Sequence, residues 1–476
     1  MRTSAEYFER LAKMRPNIYL EGEKIGRDHP TILKGGKTLA KTFDLVNDPK
    51  YERVLTATSH YNGEKINRFN HLHQNAEDLL LKQEMNRVLS SLVGGCIQRC
   101  MGIDALNALS VTTKNADMKY GTNYHERFNK FMQYFQAEDL VGCAAQTDSK
   151  GDRRLRPSQQ PDPDAYLHVV ERREDGVVVR GAKLHNTAAQ YADEIIAFPT
   201  RAIGKDEPDY AIAFAIPADT EGIYLLTRVA APPERIPELH VPYSDFIDTE
   251  SFTVFDNVFV PNERIFINGE TEFGSETALL FALFHRHGYC GCKPGLGDML
   301  TGLAALVADY NGVEKVGHVK DKLADIMSVG ELVYAAGIAA SVKSMQSPAG
   351  TYIPNIMYAN VGRRHAGVNI YHEMNIIADL AGGIPITLPQ TKEYANPEIS
   401  EFLLKYNTRR AGVSPLDHYK AMMFASDVMA SEMTGLITLA GVHGGGSPQM
   451  EDIAILASGN IEEKKNIAKH LAGIEY

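Results

Sequence analysis

The chain has 476 residues and a formal net charge of −11, from 49 Lys and Arg against 60 Asp and Glu. This length suits about three domains of ~150 residues, and its 22 Tyr and 18 Phe supply core material that disordered chains lack. An acidic chain is poorly suited to bind nucleic acid or an anionic membrane, because both favour clusters of Lys and Arg. No apolar run approaches the ~20 residues of a membrane-spanning helix. The five cysteines are too few for a disulfide framework, and the polar N-terminus lacks the pattern of a signal peptide, so we expect a cytoplasmic protein.

The first part of the chain, residues 1–138, is predicted to be an α-helical domain. Thr3 and Glu6 have the spacing of a capping box at a helix start. Residues 76–109 are periodic and poor in proline, which predicts one or two helices. A later helix places its aromatic and Met side chains on one face, at Phe128, Phe131, Met132 and Phe135.

Residues 139–274 are predicted to form a β domain. Asp175-Gly176 lies between the short apolar runs 166–170 and 177–180, which is typical of a β-hairpin. Residues 211–216, 223–226 and 252–260 have the composition of further strands.

Residues 275–476 return to long helical patterns, and we predict a C-terminal α-helical domain there. Apolar residues recur at helical spacing over 300–310, 320–345, 369–381 and 421–440. Glycine-rich breaks interrupt them at 382–383 and 444–446. The fold class is therefore α+β, in the order helical, β, helical.

Two segments combine residues that bind metals. Cys96 and Cys100 are four residues apart, a spacing that would put both thiols on one face if the segment is helical. The segment 285–294 contains His285, Cys290 and Cys292, and its two glycines and one proline indicate that it is not a continuous helix. An irregular backbone there would turn several side chains toward one centre.

These residues leave three interpretations open. Thiolates with imidazole suit an iron–sulfur cluster, or a structural zinc site with three Cys and one His. The third is that the cysteines are small buried hydrophobes, which we also expect of Cys143 on a predicted strand.

Two polar loops are candidate ligand sites. Lys150, Arg153 and Arg154 in the loop 146–155 can hold a phosphate-bearing ligand, although a solvated surface loop has the same composition. The glycine-rich segment 443–448 would let backbone approach a ligand, or it simply ends a helix. Neither loop has a Walker or dinucleotide-binding pattern.

Short motifs spread along nearly the whole chain add up to a family resemblance. The chain resembles the 4-hydroxybutyryl-CoA dehydratase/vinylacetyl-CoA isomerase family, which is related to the flavin-dependent 4-hydroxyphenylacetate monooxygenases and has the acyl-CoA dehydrogenase-like fold. The matching motifs lie at 66–69, 96–102, 119–125, 147–153, 180–183, 255–261, 292–293, 308–312, 318–323 and 443–449.

The resemblance implies an N-terminal helical domain, a middle β-barrel or sandwich and a C-terminal helical bundle, assembled as a homotetramer. It also implies a [4Fe–4S] cluster held by Cys96, Cys100, His285 and Cys292. The implied reaction, from anaerobic metabolism, is radical dehydration of 4-hydroxybutyryl-CoA to crotonyl-CoA, with isomerisation of vinylacetyl-CoA.

The resemblance further implies bound FAD and four catalytic side chains. Positions matching the FAD site are Asp148, Ser149, Asp152, Arg153, Arg154, Leu155 and Thr187, together with Gly444, Gly445, Gly446 and Ser447 supplied by a neighbouring subunit. Positions matching the catalytic site are His285, Tyr289, Lys293 and Glu250, with Gln98 beside them. His285 is expected both to bind the cluster and to accept a proton, and Tyr289 or Lys293 to act as the acid.

Two positions depart from the family pattern. Ala440 stands where the family has a Glu, which leaves the acid–base assignment and the acyl chain open. Cys290 stands where Gly is common, and we predict that it is not a ligand. The alternatives are a flavin-dependent aromatic monooxygenase, for which the cysteines would be idle, a dehydratase or isomerase of another acyl-CoA, and a non-catalytic zinc-stabilised scaffold.

Overall fold

The computed structural model describes residues 1–474 and mixes helices with two main sheets. The helices are α1 (Ser4–Lys13), α2 (Pro30–Leu45), α3 (Glu52–Leu55), α4 (Ala76–Val93), α5 (Cys100–Tyr120), α6 (Tyr124–Ala137), α7 (Thr271–Tyr310), α8 (Gly317–Val342), α9 (Ile356–Ala381), α10 (Thr391–Tyr394), α11 (Ser400–Tyr406), α12 (Pro415–Ala430), α13 (Glu432–His443), α14 (Pro448–Ser458) and α15 (Ile461–Ala472). The strands are β1 (Ile18–Leu20), β2 (Glu23–Ile25), β3 (Thr56–Thr58), β4 (Lys65–Asn67), β5 (Gly142–Ala145), β6 (His168–Arg172), β7 (Gly176–Thr187), β8 (Glu194–Ala197), β9 (Ile212–Pro217), β10 (Ile223–Ala230), β11 (Asp248–Pro261), β12 (Ile265–Asn268), β13 (Met345–Gln346) and β14 (Tyr352–Ile353).

The N-terminal helices follow the sequence pattern closely. Thr3 and Glu6 form the predicted capping box at the start of α1. The predicted apolar face of α6 is buried in the core. The stretch 76–109 is two helices, α4 and α5, and the break between them contains Cys96.

The strands form a six-stranded sheet, in the order β2-β1-β10-β11-β7-β6, and a four-stranded sheet, β12-β9-β8-β5. The predicted hairpin at Asp175-Gly176 joins the antiparallel strands β6 and β7. The helical prediction for residues 1–138 is wrong at β1, because the short apolar run Ile18–Leu20 pairs in parallel with Leu225 and Leu226 of β10. β2 extends that sheet, and β3 and β4 form a separate antiparallel pair.

The C-terminal part is built around α7, a helix of 40 residues. We predicted an irregular segment at 285–294, and this prediction is wrong because α7 runs through it without a break. Gly291 lets α4 approach closely, since a Cβ there would lie 2.6 Å from the backbone oxygen of Gln83. Tertiary packing of α7 against α4, α5, α8 and α9 therefore overrides the usual cost of Pro294 inside a helix.

One described helix, α8, is long and apolar enough to cross a membrane by those two criteria alone. It packs against α7 and α9, and 33% of its apolar stretch is buried. This is weak support for a membrane span, because core helices pass the same test.

The α4–α7 contact gives a prediction with a built-in control. Gly295→Ala would place a methyl group 2.2 Å from the Arg87 backbone oxygen, and we expect it to lower the free energy of unfolding by ~1–3 kcal/mol. Gly302→Ala, also on α7, meets no heavy atom within 4 Å and should raise that free energy by ~0.5–1 kcal/mol. Denaturant unfolding measures both, and equal effects of the two substitutions would contradict the contact.

Candidate active site

Cys96 and Cys100 are neighbours, but not as residues of one helix. Cys96 lies in the break between α4 and α5, and Cys100 is the first residue of α5. Gln98 adopts a positive φ of 59° between them, and its backbone N–H donates to the Cys96 Sγ at 3.4 Å. A side-chain hydrogen bond with Cys96, followed by burial, raises the pKa of the Cys100 thiol well above its usual value. The thiols are therefore paired, but through the loop between two helices rather than on one helical face.

Helix α7 presents the downstream residues at helical spacing. His285, Tyr289 and Cys292 stand at i, i+4 and i+7, which places them on one side of the helix. Burial raises the pKa of the Cys292 thiol, and the nearby Cys96 raises it further. The loop before α5 and the middle of α7 therefore bring Cys96, Cys100 and Cys292 into one neighbourhood.

His285 completes this neighbourhood from the same helix. Cys100, Asp104 and His285 each place a possible ligand atom within 4.8 Å of the others. Asp104 Oδ2 lies 3.0 Å from His285 Nδ1, and Asp104 is fully buried. The sequence analysis missed Asp104, although its position four residues after Cys100 on a helix would have indicated a shared face.

The remaining cysteines lie elsewhere. Cys290 is buried in a small cluster with Val333 and Ala366, on the side of α7 that packs against α8 and α9. A Cβ at Gly362 would meet its Sγ at 2.6 Å, so the thiol fills a close helix–helix contact. Burial raises the pKa of Cys290 to about 12. Cys143 is buried on β5, as expected for a core residue.

Two carboxyl groups lie close together at the start of β11. Burial, and then the charge of Asp248, raises the pKa of Glu250 to about 8. Burial likewise raises the pKa of Asp248 to about 6. The Gln98 side chain donates a hydrogen bond to Asp248 at 2.8 Å, which lowers this pKa by less than burial raises it. Thr187 Oγ1 donates to Glu250 Oε1 at 2.6 Å. Glu250 Oε2 is buried and finds no hydrogen-bond partner within residues 1–474.

Tyr289 and Lys293 are held by side chains that the sequence analysis missed. The Arg363 guanidinium stacks on the Tyr289 ring, 4.3 Å from its centroid. Burial raises the pKa of the Tyr289 hydroxyl. Lys293 forms an ion pair with Glu373 of α9, and both side chains are inaccessible to solvent. No pattern in the sequence links these residues, because α9 follows α7 by some 50 residues and only tertiary packing joins them.

The glycine-rich segment covers His285 within the same chain. Gly445 and Gly446 have φ values of 79° and 112°, which favour glycine. Arg286 Nε donates to the Gly445 oxygen at 2.9 Å. A Cβ at Gly445 would lie 3.4 Å from His285 Cδ2. Ala440, at the end of α13 before this segment, is exposed.

The loop after β5 uses most of its polar side chains internally. Asp148 is buried in an ion pair with Lys183 at 2.7 Å. Ser149 donates to the Ala165 oxygen, and Asp152 pairs with Arg154. Arg153 is exposed and Leu155 half-buried, so these two side chains and the loop backbone are the groups best placed to meet a ligand.

A small pocket of about 20 Å³ lies beside the cysteine loop. Its polar lining includes Cys96, Gln98 and Asp248, and its apolar wall includes Met433 and Ile437 of α13. The site thus combines metal-binding side chains, buried acids and a small, largely apolar space.

Comparison with known protein families gives a match along nearly the whole chain. Residues 3–267 match the family model described as 4-hydroxyphenylacetate 3-hydroxylase N terminal. Residues 275–473 match the corresponding C-terminal model.

Individual relatives are of two kinds. The chain is 38% identical to 4-hydroxybutyryl-CoA dehydratase/vinylacetyl-CoA-Delta-isomerase of Clostridium aminobutyricum, over 99% of both chains. It is 31% identical to the oxygenase component of 4-hydroxyphenylacetate 3-monooxygenase from Thermus thermophilus, over 85% of this chain and 84% of that protein.

Solved structures agree with this division. An oxygen-tolerant archaeal 4-hydroxybutyryl-CoA dehydratase from N. maritimus superposes with a TM-score of 0.95 at 37% identity, covering 100% of this chain and 95% of that one. The FAD complex of a 4-hydroxyphenylacetate 3-monooxygenase oxygenase component gives 0.87 at 27% identity, covering 99% and 98%. The chain therefore belongs to the 4-hydroxyphenylacetate 3-hydroxylase family, in the group that contains 4-hydroxybutyryl-CoA dehydratase/vinylacetyl-CoA-Delta-isomerase.

Proposed function

We propose that this protein dehydrates 4-hydroxybutyryl-CoA to crotonyl-CoA and isomerises vinylacetyl-CoA, with FAD and a [4Fe–4S] cluster as cofactors. The observation that carries the proposal is the grouping of Cys96, Cys100, Cys292 and His285 in one neighbourhood, in which Cys100 is buried, Cys292 and His285 are half-buried and Cys96 is exposed. It is joined by 38% identity over 99% of the chain to an enzyme with these two activities in its name.

The donor set fits an iron–sulfur cluster. Three thiols share one neighbourhood, and the protonated thiols of Cys100 and Cys292 are favoured by raised pKa values when no metal is bound. A bound metal removes those protons, because thiolates are the ligands. Three thiolates and one imidazole suit a cluster with a single weaker ligand.

The FAD site also fits, where β7 ends beside the start of β11. Thr187 and Glu250 face each other across β7 and β11, and Glu250 Oε2 lacks a partner in the described part of the chain. The exposed Arg153, the backbone of 148–155 and the segment 444–447 complete the residues that we propose to hold FAD. When bound, the flavin supplies one-electron chemistry and the cluster a Lewis acid for the substrate hydroxyl.

The two reactions determine which proton transfers the site must carry out. Forming crotonyl-CoA removes one proton from the α-carbon and one from the β-carbon. It returns one proton to the γ-carbon and gives one to the departing hydroxyl, so that water is the only by-product. Isomerisation of vinylacetyl-CoA needs only the transfer of a proton from the α- to the γ-carbon.

The chain has buried groups for these proton transfers. His285 accepts a proton at Nε2 when that nitrogen is released from the cluster, since its Nδ1 faces Asp104. Tyr289 keeps its hydroxyl proton at neutral pH, because burial raises its pKa, and this O–H is the group that donates toward the departing hydroxyl. Glu250 holds a proton at Oε2 at neutral pH, since its pKa is raised to about 8. Lys293, fixed by Glu373, polarises the thioester.

The proposal extends to the domain layout, the cellular compartment, the assembly and the acyl chain of the substrate. We assign an acyl-CoA dehydrogenase-like layout with domains at 1–138, 139–274 and 275–476, supported by the change between the two family matches from residue 267 to 275. We assign a cytoplasmic homotetramer, supported by apolar side chains exposed on the outer helices, at Met327, Leu332, Val368, Tyr371, Ile467 and Leu471. Ala440 leaves another acyl-CoA thioester as the alternative substrate.

Cofactor analysis of anaerobically purified protein tests the function. We expect about four iron and four sulfide per chain, bound FAD, and conversion of 4-hydroxybutyryl-CoA to crotonyl-CoA. FAD without iron, together with FADH₂-dependent hydroxylation of 4-hydroxyphenylacetate, would instead favour the monooxygenase. Zinc without FAD would favour a scaffold.

The two cysteines of α7 provide a matched pair of variants. Cys292→Ser should lose most of the iron, whereas Cys290→Ser should keep it, because Cys290 faces Val333 and Ala366. Iron lost from Cys290→Ser and kept by Cys292→Ser would reverse the ligand assignment.

A substitution of His285 separates ligation from proton transfer. His285→Cys offers another cluster ligand but removes the imidazole, so we expect iron to remain while dehydration falls by ~10²-fold or more. Tyr289→Phe is the control, with unchanged iron and reduced turnover. Near-normal turnover in a cluster-replete His285→Cys protein would show that His285 is a ligand only.

The raised pKa of Glu250 predicts an alkaline limb in the pH profile. The protonated carboxyl is the major form below about pH 8, so turnover should fall as pH rises through about 8. Asp248→Asn removes a neighbouring negative charge that raises this pKa, and should move the limb to lower pH. Glu250→Gln should lower turnover by ~10²-fold and abolish the limb. An unchanged profile in both variants would exclude this role of Glu250.

A further inference from the structure

Asp104 is the most deeply enclosed carboxylate beside the proposed ligands. It lies on α5, four residues after Cys100, with no exposure to solvent. Both of its oxygens are occupied, Oδ2 by His285 Nδ1 at 3.0 Å and Oδ1 by Lys82 Nζ at 2.5 Å. No step of the proposed reaction uses either Asp104 or Lys82.

Lys82 reaches this position from α4. Its ammonium also donates to the backbone oxygen of Phe284, at 2.9 Å, which ties it to the residue before His285. Asp104 thus lies between two donors, the Lys82 ammonium and the His285 ring.

This arrangement fixes the tautomer and the orientation of the His285 ring. When the Nδ1–H donates to Asp104 Oδ2, the lone pair of the ring lies on Nε2. The ring is also stacked on Phe281, with centroids 5.7 Å apart and planes 6° apart. The imidazole is thus held before any ligand binds.

We propose that Asp104, held by Lys82, is a positioning residue that aims His285 Nε2 at the cluster and tunes its iron. The inference rests on the proposed function, since it needs the cluster. A carboxylate behind a metal-binding imidazole makes it a stronger donor. Here the carboxylate belongs to α5, the helix that begins with another proposed ligand, Cys100. Helix α5 therefore positions both Cys100 and, through Asp104, His285.

The test compares two variants that change the charge in opposite directions. Asp104→Asn removes a negative charge, so reduction of the cluster becomes easier and its midpoint potential should rise. Lys82→Met removes a positive charge and should lower the potential. In both, we expect most of the iron to stay, the EPR signal of the reduced cluster to change, and turnover to fall by ~10–100-fold.

A buried Asp that contacts none of the proposed ligands supplies the control. Asp193 is ion-paired with Arg2 and Arg10, so Asp193→Asn should lower thermal stability without altering the potential or EPR signal. If Asp104→Asn fails to fold, the potential and EPR signal of Lys82→Met decide the question.

Three results would overturn the inference. The first is wild-type potential and EPR signal in a folded Asp104→Asn or Lys82→Met protein. The second is complete loss of iron from folded Asp104→Asn, which would make Asp104 itself a ligand. The third is wild-type protein that binds no iron, which would refute the proposed function and this inference with it.

Discussion

The close contact between α4 and α7 is the constraint on which the site depends. Gly291 and Gly295 lack the side chains that would meet backbone oxygens of α4 at 2.6 and 2.2 Å. Because the helices touch along these glycines, α7 continues through Pro294 and presents His285, Tyr289 and Cys292 on one side. The same contact brings the end of α4, and hence the cysteine loop that follows it, beside the middle of α7.

Charge pairing in a buried environment is the second organising principle. The pairs Lys82–Asp104, Lys293–Glu373 and Lys183–Asp148 are almost or fully inaccessible to solvent. Such pairs add little net stability, yet removal of one partner costs ~3–5 kcal/mol. They hold their side chains in place rather than stabilise the fold. Glu250 differs, because burial, and then the charge of the neighbouring Asp248, raises its pKa so that it keeps its proton at neutral pH.

The sequence was sufficient for features that depend on local spacing. The capping box of α1, the apolar face of α6 and the hairpin at Asp175-Gly176 are all confirmed. It is misleading at 285–294, where glycine and proline predict a break although the helix continues and Gly291 allows close packing. Contacts between distant segments, such as the ion pair of Lys293 with Glu373, cannot be predicted from the spacing of residues. Asp104 is the exception, since its position four residues after Cys100 on a helix indicates that the two side chains share a face.

Ligation by His285 is the central claim, and pulsed EPR tests it most directly. Protein produced with ¹⁵N-labelled histidine and reduced anaerobically should show one ¹⁵N nucleus strongly coupled to the cluster spin. In His285→Cys protein with the same label, that coupling should disappear while the cluster signal remains. A cluster signal without histidine nitrogen coupling in the wild-type protein would contradict the account.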